Sequence, residues 1–337
     1  MKSRTKNQLS EAKIRELVKI HFGAQCEVGE IRELKGGMFN AIYRIERIRE
    51  KDAVILKVGV IPGTTLLTYE RDIMPVEVEC YRRIREQTTV PVPEVLAYDF
   101  SKKNIKSNYF FMTALEGEPF SKVMKKMGQE NVDKIREELA GYLFQLHGIK
   151  GSYFGYFTED KSRQYATWKA AFFQMFEQLL EDAREHKVRL PYKRISAALR
   201  QNAKYLEDVK EPSLVEYDCH EGNIFVKDTG HGYTIEGILD FERAFWGDPM
   251  ADFPTAFVFT DDIRKEKAFL SAYLRISGKK VYTETDVKKY QLYRMYILTI
   301  MASETFRYGF LYGKLQGAWA KWGIKKCLRE LGGGMDA

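Results

Sequence analysis

The sequence predicts an α+β protein with two lobes: a small antiparallel sheet with one helix, followed by a larger, mostly helical lobe. Segments rich in β-branched residues and separated by short polar turns occupy the first third of the chain. Apolar residues at helical spacing dominate the rest. The segment Met112–Pro119 separates the two parts, with Gly117 and Pro119 as breakers.

Composition supports a folded protein and argues against two broad classes. The chain has 337 residues, of which 45% are hydrophobic, so it can bury a substantial core. Its formal net charge is +7, but lysine and arginine alternate with acidic residues along most of the chain. Without a run of like charges, the sequence predicts no nucleic-acid partner.

Cysteine use and hydropathy predict a cytoplasmic protein. The four cysteines are widely spaced and form no CxxC pair, which is typical of free thiols in a reducing compartment. The N-terminus is polar and carries no signal-peptide pattern. We also expect no membrane partner, because no stretch approaches the roughly 18 apolar residues of a membrane span.

The first part of the chain reads as strands around a helix. Ser10 can cap a helix that reaches Phe22, and Gly23 can end it. Pro75 is tolerated in the first turn of the next helix. The elements predicted after the first helix are strands at Cys26–Leu34, Ala41–Ile48 and Ala53–Val60, a helix at Met74–Gln87, and strands at Val95–Asp99 and Tyr109–Thr113.

Helices predominate in the second part, interrupted by a strand-and-loop segment. We expect Asn131 to cap the first long helix. The predicted domain organisation is an N-terminal lobe at residues 1–112, a hinge at 113–118 and a C-terminal lobe at 119–337. The predicted elements are helices at Asn131–His147, Ser162–His186, Tyr192–Val209, Asp261–Ile276, Thr285–Leu311 and Gln316–Leu331, with the strand-and-loop segment at Ser213–Phe245.

Three polar residues in the strand-and-loop segment suggest phosphoryl transfer. Asp218 follows an apolar strand end, Asn223 comes five residues later, and Asp240 follows a second apolar run. Phosphoryl transfer needs a carboxylate at the acceptor hydroxyl and oxygen ligands for magnesium. Asp218 would accept the proton, and Asn223 and Asp240 would hold magnesium. Each residue alone could be an ordinary turn residue, but the ordered set with its flanking strands favours the functional interpretation.

At these residues the sequence resembles the aminoglycoside phosphotransferase-like family, relatives of protein kinases that phosphorylate hydroxyls on small molecules. The family pattern HGDxxxxN corresponds to Glu216–Asn223, and its I-D strand end corresponds to Leu239-Asp240-Phe241. A G-x-P-x-x-D stretch ends at Asp252, which in the family supports the catalytic loop. The helix end Leu143–His147 also matches a family pattern. The resemblance implies a protein-kinase-like fold, an ATP substrate, magnesium and a small-molecule hydroxyl acceptor.

The resemblance extends more weakly through the N-terminal part. Lys57 matches the strand lysine that grips the α- and β-phosphates. Glu77 matches the helix glutamate that pairs with this lysine, with Glu79 as the rival. Gly36 and Gly37 stand where a phosphate-covering turn is expected, although an ordinary hairpin would fit them equally well.

By position, the segment around Thr113 and Leu115 resembles the hinge that binds adenine through backbone groups. Side chains carry little information there, so both residues are assigned to cofactor binding by position alone.

Two residues depart from the family pattern. Glu216 and Tyr217 replace the usual histidine and glycine. We expect Glu216 to support backbone N–H groups of the loop in place of the histidine. Tyr217 replaces the arginine that reads loop phosphorylation in regulated protein kinases, and there is little room for an activation loop between Asp240 and Asp252. A protein substrate is therefore less consistent with this sequence than a small molecule.

The sequence leaves the acceptor open. An aminoglycoside or other antibiotic, which would imply antibiotic resistance, and a metabolite alcohol are both compatible with it, as is a monomer or a homodimer. The alternative function is a pseudokinase-like module that binds nucleotide without transfer. Candidate acceptor-site acids are Glu181, Asp182, Asp261, Asp262 and Glu304, and the aromatic residues Tyr293, Tyr296, Phe306, Tyr308, Phe310, Tyr312 and Trp319 could line an apolar cleft or belong to the core.

Overall fold

The computed structural model describes residues 6–34 and 39–332. Its N-terminal lobe contains the predicted sheet and its helices. Ser10 caps the first helix by accepting from the Lys13 amide, and Gly23 follows that helix with a φ of 90°. The elements of this lobe are α1 (Glu11–Phe22), β1 (Val28–Glu33), β2 (Ala41–Arg47), β3 (Asp52–Val58), α2 (Ile73–Gln87), β4 (Val95–Asp99) and β5 (Tyr109–Thr113).

The five strands form one antiparallel sheet in the order β1-β2-β3-β5-β4. Because side chains alternate along a strand, Val54, Leu56 and Val58 face the cluster that includes α1. Ile55 belongs to the opposite cluster, which includes α2. Lys57 shares this second face, so the strand period aims its side chain towards α2 and the C-terminal lobe.

The C-terminal lobe is mostly helical, as predicted. Its described part has two small sheets, which combine strands from the predicted strand-and-loop segment with short strands from earlier in the chain. Its elements are β6 (Glu118–Pro119), α3 (Phe120–Val123), α4 (Gln129–Gly148), β7 (Gly155–Tyr156), α5 (Trp168–Glu185), α6 (Tyr192–Gln201), β8 (Ser213–Val215), β9 (Ile224–Asp228), β10 (Tyr233–Ile238), β11 (Phe245–Gly247), α7 (Phe253–Ala256), α8 (Lys267–Ser277), α9 (Glu284–Ser303) and α10 (Phe310–Glu330).

Several predicted helix ends are wrong. Gly128, not Asn131, precedes α4, and Asn131 lies within its first turn. Thr167 caps α5 through its hydroxyl, so that helix begins later than Ser162. The other predicted ends also shift: α6 stops at Gln201, α8 begins at Lys267, and the continuous helix expected over Thr285–Leu311 ends at Ser303 in a short 3-10 turn.

Helix α9 runs through the centre of the C-terminal lobe. Three quarters of its side chains are buried, including Tyr293 and Tyr296, which belong to the main hydrophobic core. The Tyr293 hydroxyl donates to Asp248 at 2.7 Å and accepts from the Trp168 indole at 2.8 Å. These two tyrosines are therefore core residues with satisfied hydroxyls, not a cleft lining.

The cysteines agree with the free thiols that the sequence predicts. All four cysteines are free and buried. Within residues 6–34 and 39–332, no helix is both long enough and apolar enough to cross a membrane. The domain boundaries at 112 and 118 stay a prediction.

Candidate active site

The loop between β8 and β9 brings the three predicted polar residues together. Asn223 donates from Nδ2 to the backbone oxygen of Asp218 at 3.0 Å, which closes the loop. The Leu239 amide donates to the Asn223 backbone oxygen at 2.9 Å, so the end of β10 lies beside that loop. Asp240 follows directly and adds to the negative potential at Asp218.

Asp252 holds the N-terminal side of this loop. Its carboxylate accepts hydrogen bonds from the backbone amides of Tyr217 at 2.7 Å and Glu216 at 3.2 Å. His147, at the end of α4, places Nε2 2.9 Å from the same carboxylate, and its Nδ1 lies 2.7 Å from the Tyr273 hydroxyl. Two distant sequence patterns thus meet in one buried support for the loop.

Tyr217 adopts a backbone conformation that glycine would adopt more easily. Its φ is 61°, in the left-handed region that costs an L-residue about 1 kcal/mol. This position corresponds to the glycine of the family pattern, and glycine is the residue that adopts such a conformation most readily. The tyrosine side chain is buried, its hydroxyl donates to the Tyr293 backbone oxygen at 3.0 Å, and its ring packs against Phe245.

Glu216 does not support the loop as predicted. Both of its carboxyl oxygens are buried without a hydrogen-bond partner of good geometry among the described residues, and only its backbone amide contacts Asp252. The thiol of Cys219, a weak donor, lies beside it. Burial, together with the negative charge of Asp252, raises the pKa of Glu216 well above its usual range. Desolvation thus favours the protonated, neutral form of this carboxyl over the charged form.

The environment of Asp218 is suited to proton transfer near neutral pH. Burial raises its pKa to about 7, against the opposing effect of Arg243. The Arg243 Nε lies 3.7 Å from Asp218 Oδ2, and His220 Nε2 lies 4.0 Å from Oδ1.

Lys57 sits at the centre of a buried acidic cluster. Its ammonium contacts Glu77 Oε2 at 2.7 Å, Asp240 Oδ1 at 2.9 Å and Glu242 Oε2 at 3.2 Å. Burial opposes its charge, but the three carboxylates prevail and raise the pKa of Lys57 well above its usual value. Glu77 makes the ion pair on α2, whereas Glu79 faces the surface.

The surface contacts of Glu79 explain why Glu77, and not Glu79, pairs with Lys57. Its carboxylate pairs with Arg82 and Arg83 on the same helix. Residues two apart lie on different faces of a helix, so only Glu77 reaches the sheet.

The acidic cluster can accept a divalent cation at its exposed edge. Oxygens of Glu77, Asp240 and Glu242 lie within 4.8 Å of one another, and hard oxygen ligands are those that magnesium prefers. Lys57 occupies the centre, and Asp240 is the most accessible of the three, with 33% of its side chain exposed. Because Asn223 uses its amide nitrogen for Asp218, its side-chain oxygen is left for a metal. The donor set therefore fits magnesium at Asp240.

The predicted adenine hinge fits only in part. The Thr113 amide donates to the Glu94 backbone oxygen at 3.0 Å, so it is already engaged. Among the described residues, the Leu115 amide makes no hydrogen bond, which leaves it able to bind adenine. Gly36 and Gly37 lie outside the described residues.

Sequence reasoning missed three contributors to this site. Glu242 and Arg243 follow Asp240 within the same 3-10 turn, and their charge next to the Asp240 motif was the available signal. Asn40 donates to Glu242 Oε2 at 2.8 Å from the start of β2. No local pattern in the sequence could have paired Asn40 with a residue 202 positions away.

The candidate acceptor-site acids divide into separate groups. Asp182 and Glu304 are buried where the two lobes meet, whereas Glu181 is exposed. Asp261 and Asp262 line a polar cavity of about 400 Å³ whose lining includes none of the predicted catalytic, cofactor-binding or metal residues. That cavity is therefore not the predicted active site.

A two-lobed structure with a lysine–glutamate pair beside an Asp/Asn loop defines the class of protein: it has the protein-kinase-like fold. The family model named phosphotransferase enzyme family matches residues 30–287, which is most of the chain. The chain belongs to this phosphotransferase family. No curated protein matches it in a sequence search.

Solved structures agree on the fold along nearly the whole chain. A thermostable mutant of aminoglycoside phosphotransferase APH(4)-Ia, in a ternary complex with AMP-PNP and hygromycin B, has a TM-score of 0.65 and 16% identity, covering 96% of this chain and 100% of that one. ADP-bound aminoglycoside phosphotransferase APH(2'')-Ib has a TM-score of 0.61 and 16% identity, covering 95% and 99%. A candidate fructosamine-3-kinase from Haemophilus somnus has a TM-score of 0.64 and 15% identity, covering 92% and 96%.

Proposed function

We propose that this chain is an ATP- and magnesium-dependent phosphotransferase that moves the γ-phosphate to a hydroxyl of a small molecule. The observation that carries the proposal is the position of Asp218, whose carboxyl is partly buried on a loop closed by Asn223, close to Asp240. A carboxyl with a pKa near 7 is poised to accept a proton from a hydroxyl.

In the proposed reaction, the acceptor oxygen attacks the γ-phosphorus of ATP while Asp218 takes the hydroxyl proton. The new oxygen–phosphorus bond forms as the bond to the β–γ bridging oxygen breaks, and ADP leaves with that oxygen. Arg243 helps to keep Asp218 ionised, because it is the nearest cation to that carboxylate. Protein groups contribute mainly position and charge in such transfers.

The remaining site residues would bind the nucleotide. Lys57, held by Glu77, would contact the α- and β-phosphates, and Asp240 and Asn223 would hold magnesium. Magnesium, when bound, offsets the phosphate charge and orients the phosphates. Leu115, and Thr113 through its carbonyl, would contact adenine, and Gly36 and Gly37 would cover the phosphates.

The acceptor class stays broad. The solved relatives include one bound to hygromycin B and one described as a candidate fructosamine-3-kinase, so antibiotics and metabolites both occur among proteins of this fold. We propose a hydroxylated small molecule as the partner of this chain, either an antibiotic, with resistance as the outcome, or a metabolite alcohol.

One observation favours the alternative, a nucleotide-binding module without transfer. Glu216 places a buried carboxyl where the family pattern has histidine, next to the loop that carries Asp218. Against it stands the retained Asp218, because nucleotide binding alone does not require a base.

The deciding experiment measures magnesium-dependent ATP consumption across a panel of aminoglycosides, macrolides, sugars and amino alcohols. The wild type should respond to at least one acceptor, and Asp218→Asn should bind ATP with similar affinity but turn over at least about 100-fold more slowly. Equal turnover by both proteins would remove Asp218 as the base. Nucleotide binding without turnover for any acceptor would favour the alternative.

A further inference from the structure

A short segment of the N-terminal lobe reaches across to the C-terminal lobe beside the candidate site. We call this segment the strap; it is residues 67–70, between β3 and α2. Thr68 donates to the Asp182 carboxylate on α5 from its amide at 2.7 Å and from its hydroxyl at 2.9 Å. Arg307, after α9, forms an ion pair with Glu70 of the strap.

Tyr69 is the strap residue that connects to the candidate active site, through Glu304 and Arg243. Its hydroxyl donates to Glu304 Oε1, and both side chains are buried, with 8% and 6% exposed. The same Glu304 oxygen accepts from Arg243 Nη2 at 2.7 Å. Arg243 in turn lies 3.7 Å from Asp218 and 5.8 Å from the centre of the Tyr69 ring.

These contacts form one continuous path from the N-terminal lobe to the proposed base. Tyr69 fixes the oxygen of Glu304 that holds Arg243, and Arg243 is the cation nearest to Asp218. Without Tyr69, Glu304 could turn, because among the described residues its other oxygen accepts a hydrogen bond from Tyr308 alone, at 2.9 Å. A buried ion pair often adds little to stability, so position is the stronger explanation for this one.

We propose that Tyr69 and Glu304 are positioning residues for phosphoryl transfer: they hold Arg243 against Asp218 only when the strap is docked on the C-terminal lobe. The inference rests on the proposed function. It adds that the position of Arg243 beside Asp218 depends on the contact between the two lobes. Both act through Arg243.

The test compares two tyrosines that donate to the same carboxylate. Tyr69→Phe removes the hydroxyl on the strap, and Tyr308→Phe removes the one within the C-terminal lobe. Basal magnesium-ATP hydrolysis, with water as acceptor, gives kcat and the KM for ATP. Tyr69→Phe should lower kcat about 10-fold with KM nearly unchanged, and Tyr308→Phe should stay within about 2-fold of the wild type.

A double-mutant cycle tests whether Tyr69 acts through Glu304. On a Glu304→Ala background, Tyr69→Phe should have no further effect on kcat. Additive losses would overturn the proposal, as would an unchanged kcat in Tyr69→Phe. If Glu304→Ala does not fold, the comparison of the two tyrosines decides alone.

A measurement without turnover separates this inference from the proposed function. Hydrogen exchange at the backbone amides of residues 216–223 should speed up in Tyr69→Phe but not in Tyr308→Phe. If this holds while the wild type consumes no ATP with any acceptor of the panel, the proposed function fails and the positioning path stands. If the wild type is active and Tyr69→Phe matches it in both exchange and kcat, the positioning path is wrong.

Discussion

The hydroxyl of Tyr81 on α2 accepts the backbone amide of Asp240 at 3.0 Å. The same hydroxyl donates to Glu77 Oε1 at 3.1 Å, so it joins the Lys57 ion pair to the proposed metal ligand. Asp240 needs such support, because its φ is 72°, in the left-handed region that disfavours residues with a side chain. Helix α2 of the N-terminal lobe thus sets the backbone at the proposed metal ligand.

Tyr81→Phe tests this support. The change leaves the Asp240 amide without its acceptor, so we expect stability to fall by about 1–3 kcal/mol and magnesium-ATP affinity to fall about 5-fold or more. Calorimetric titration and denaturant unfolding would measure the two effects. Tyr142→Phe is the matched control, because Tyr142 also donates at 3.1 Å to a glutamate four residues earlier on its helix, away from the predicted site residues. Equal nucleotide affinity in both variants would contradict the link.

Lys57→Met should convert the acidic cluster into a stronger cation site. Three carboxylates would lose their shared ammonium, and removing one partner of a buried ion pair costs about 3–5 kcal/mol. Magnesium should then raise the unfolding temperature of the variant more than that of the wild type. Lys227→Met is the control, since Lys227 pairs with Glu116 at the surface, where such pairs contribute little. A magnesium response no larger than that of the wild type would show that the cluster holds no cation.

Glu216→Gln should be more stable than the wild type at high pH. The folded-state pKa of Glu216 is raised above its ordinary value of 4.5, so folding favours the protonated form. Its contribution is complete below pH 4.5 and is lost as pH rises towards the folded pKa, by up to about 1.4 kcal/mol per pH unit. The glutamine cannot ionise and avoids this loss.

Denaturant unfolding at pH 5, 7 and 9 checks this expectation. The stability gap between Glu216→Gln and the wild type should widen as pH rises. Glu130→Gln serves as control, because Glu130 is exposed and forms an ion pair with Lys134 in the same helix. A gap for Glu216→Gln that does not change with pH would mean that the carboxyl is already ionised in the folded protein.

Local patterns predicted much of the fold. The strands at Val95–Asp99 and Tyr109–Thr113 have the predicted bounds, because β-branched and aromatic runs end at clear turn residues. Helix ends were predicted less well: the Thr167 cap of α5 and the break after Ser303 depend on which polar groups find partners in the folded chain. Such partners are invisible to spacing alone.

At the candidate site, the sequence motif predicted that Asp218, Asn223 and Asp240 would lie close together. It did not predict the residues that surround them. Asp218, Asn223 and Asp240 lie together because they flank two short strands that are close in sequence. The pairing of Tyr69 with Glu304 could not be found this way, because 235 positions separate them. The sequence offered Glu304 only as a candidate acceptor-site acid, and it did not single out Tyr69. Likewise, the positive φ of Tyr217 could not be predicted, because tyrosine is not a residue type that favours the left-handed backbone region.

The most direct test of the central claim is a single-turnover measurement with Asp218→Asn. Enzyme in excess of labelled ATP, with magnesium and an acceptor that stimulates the wild type, would be followed by mass spectrometry of the phosphorylated acceptor. The account predicts that nucleotide affinity is retained within about 3-fold while the rate of product formation falls by at least about 100-fold. A product-formation rate equal to that of the wild type would contradict it.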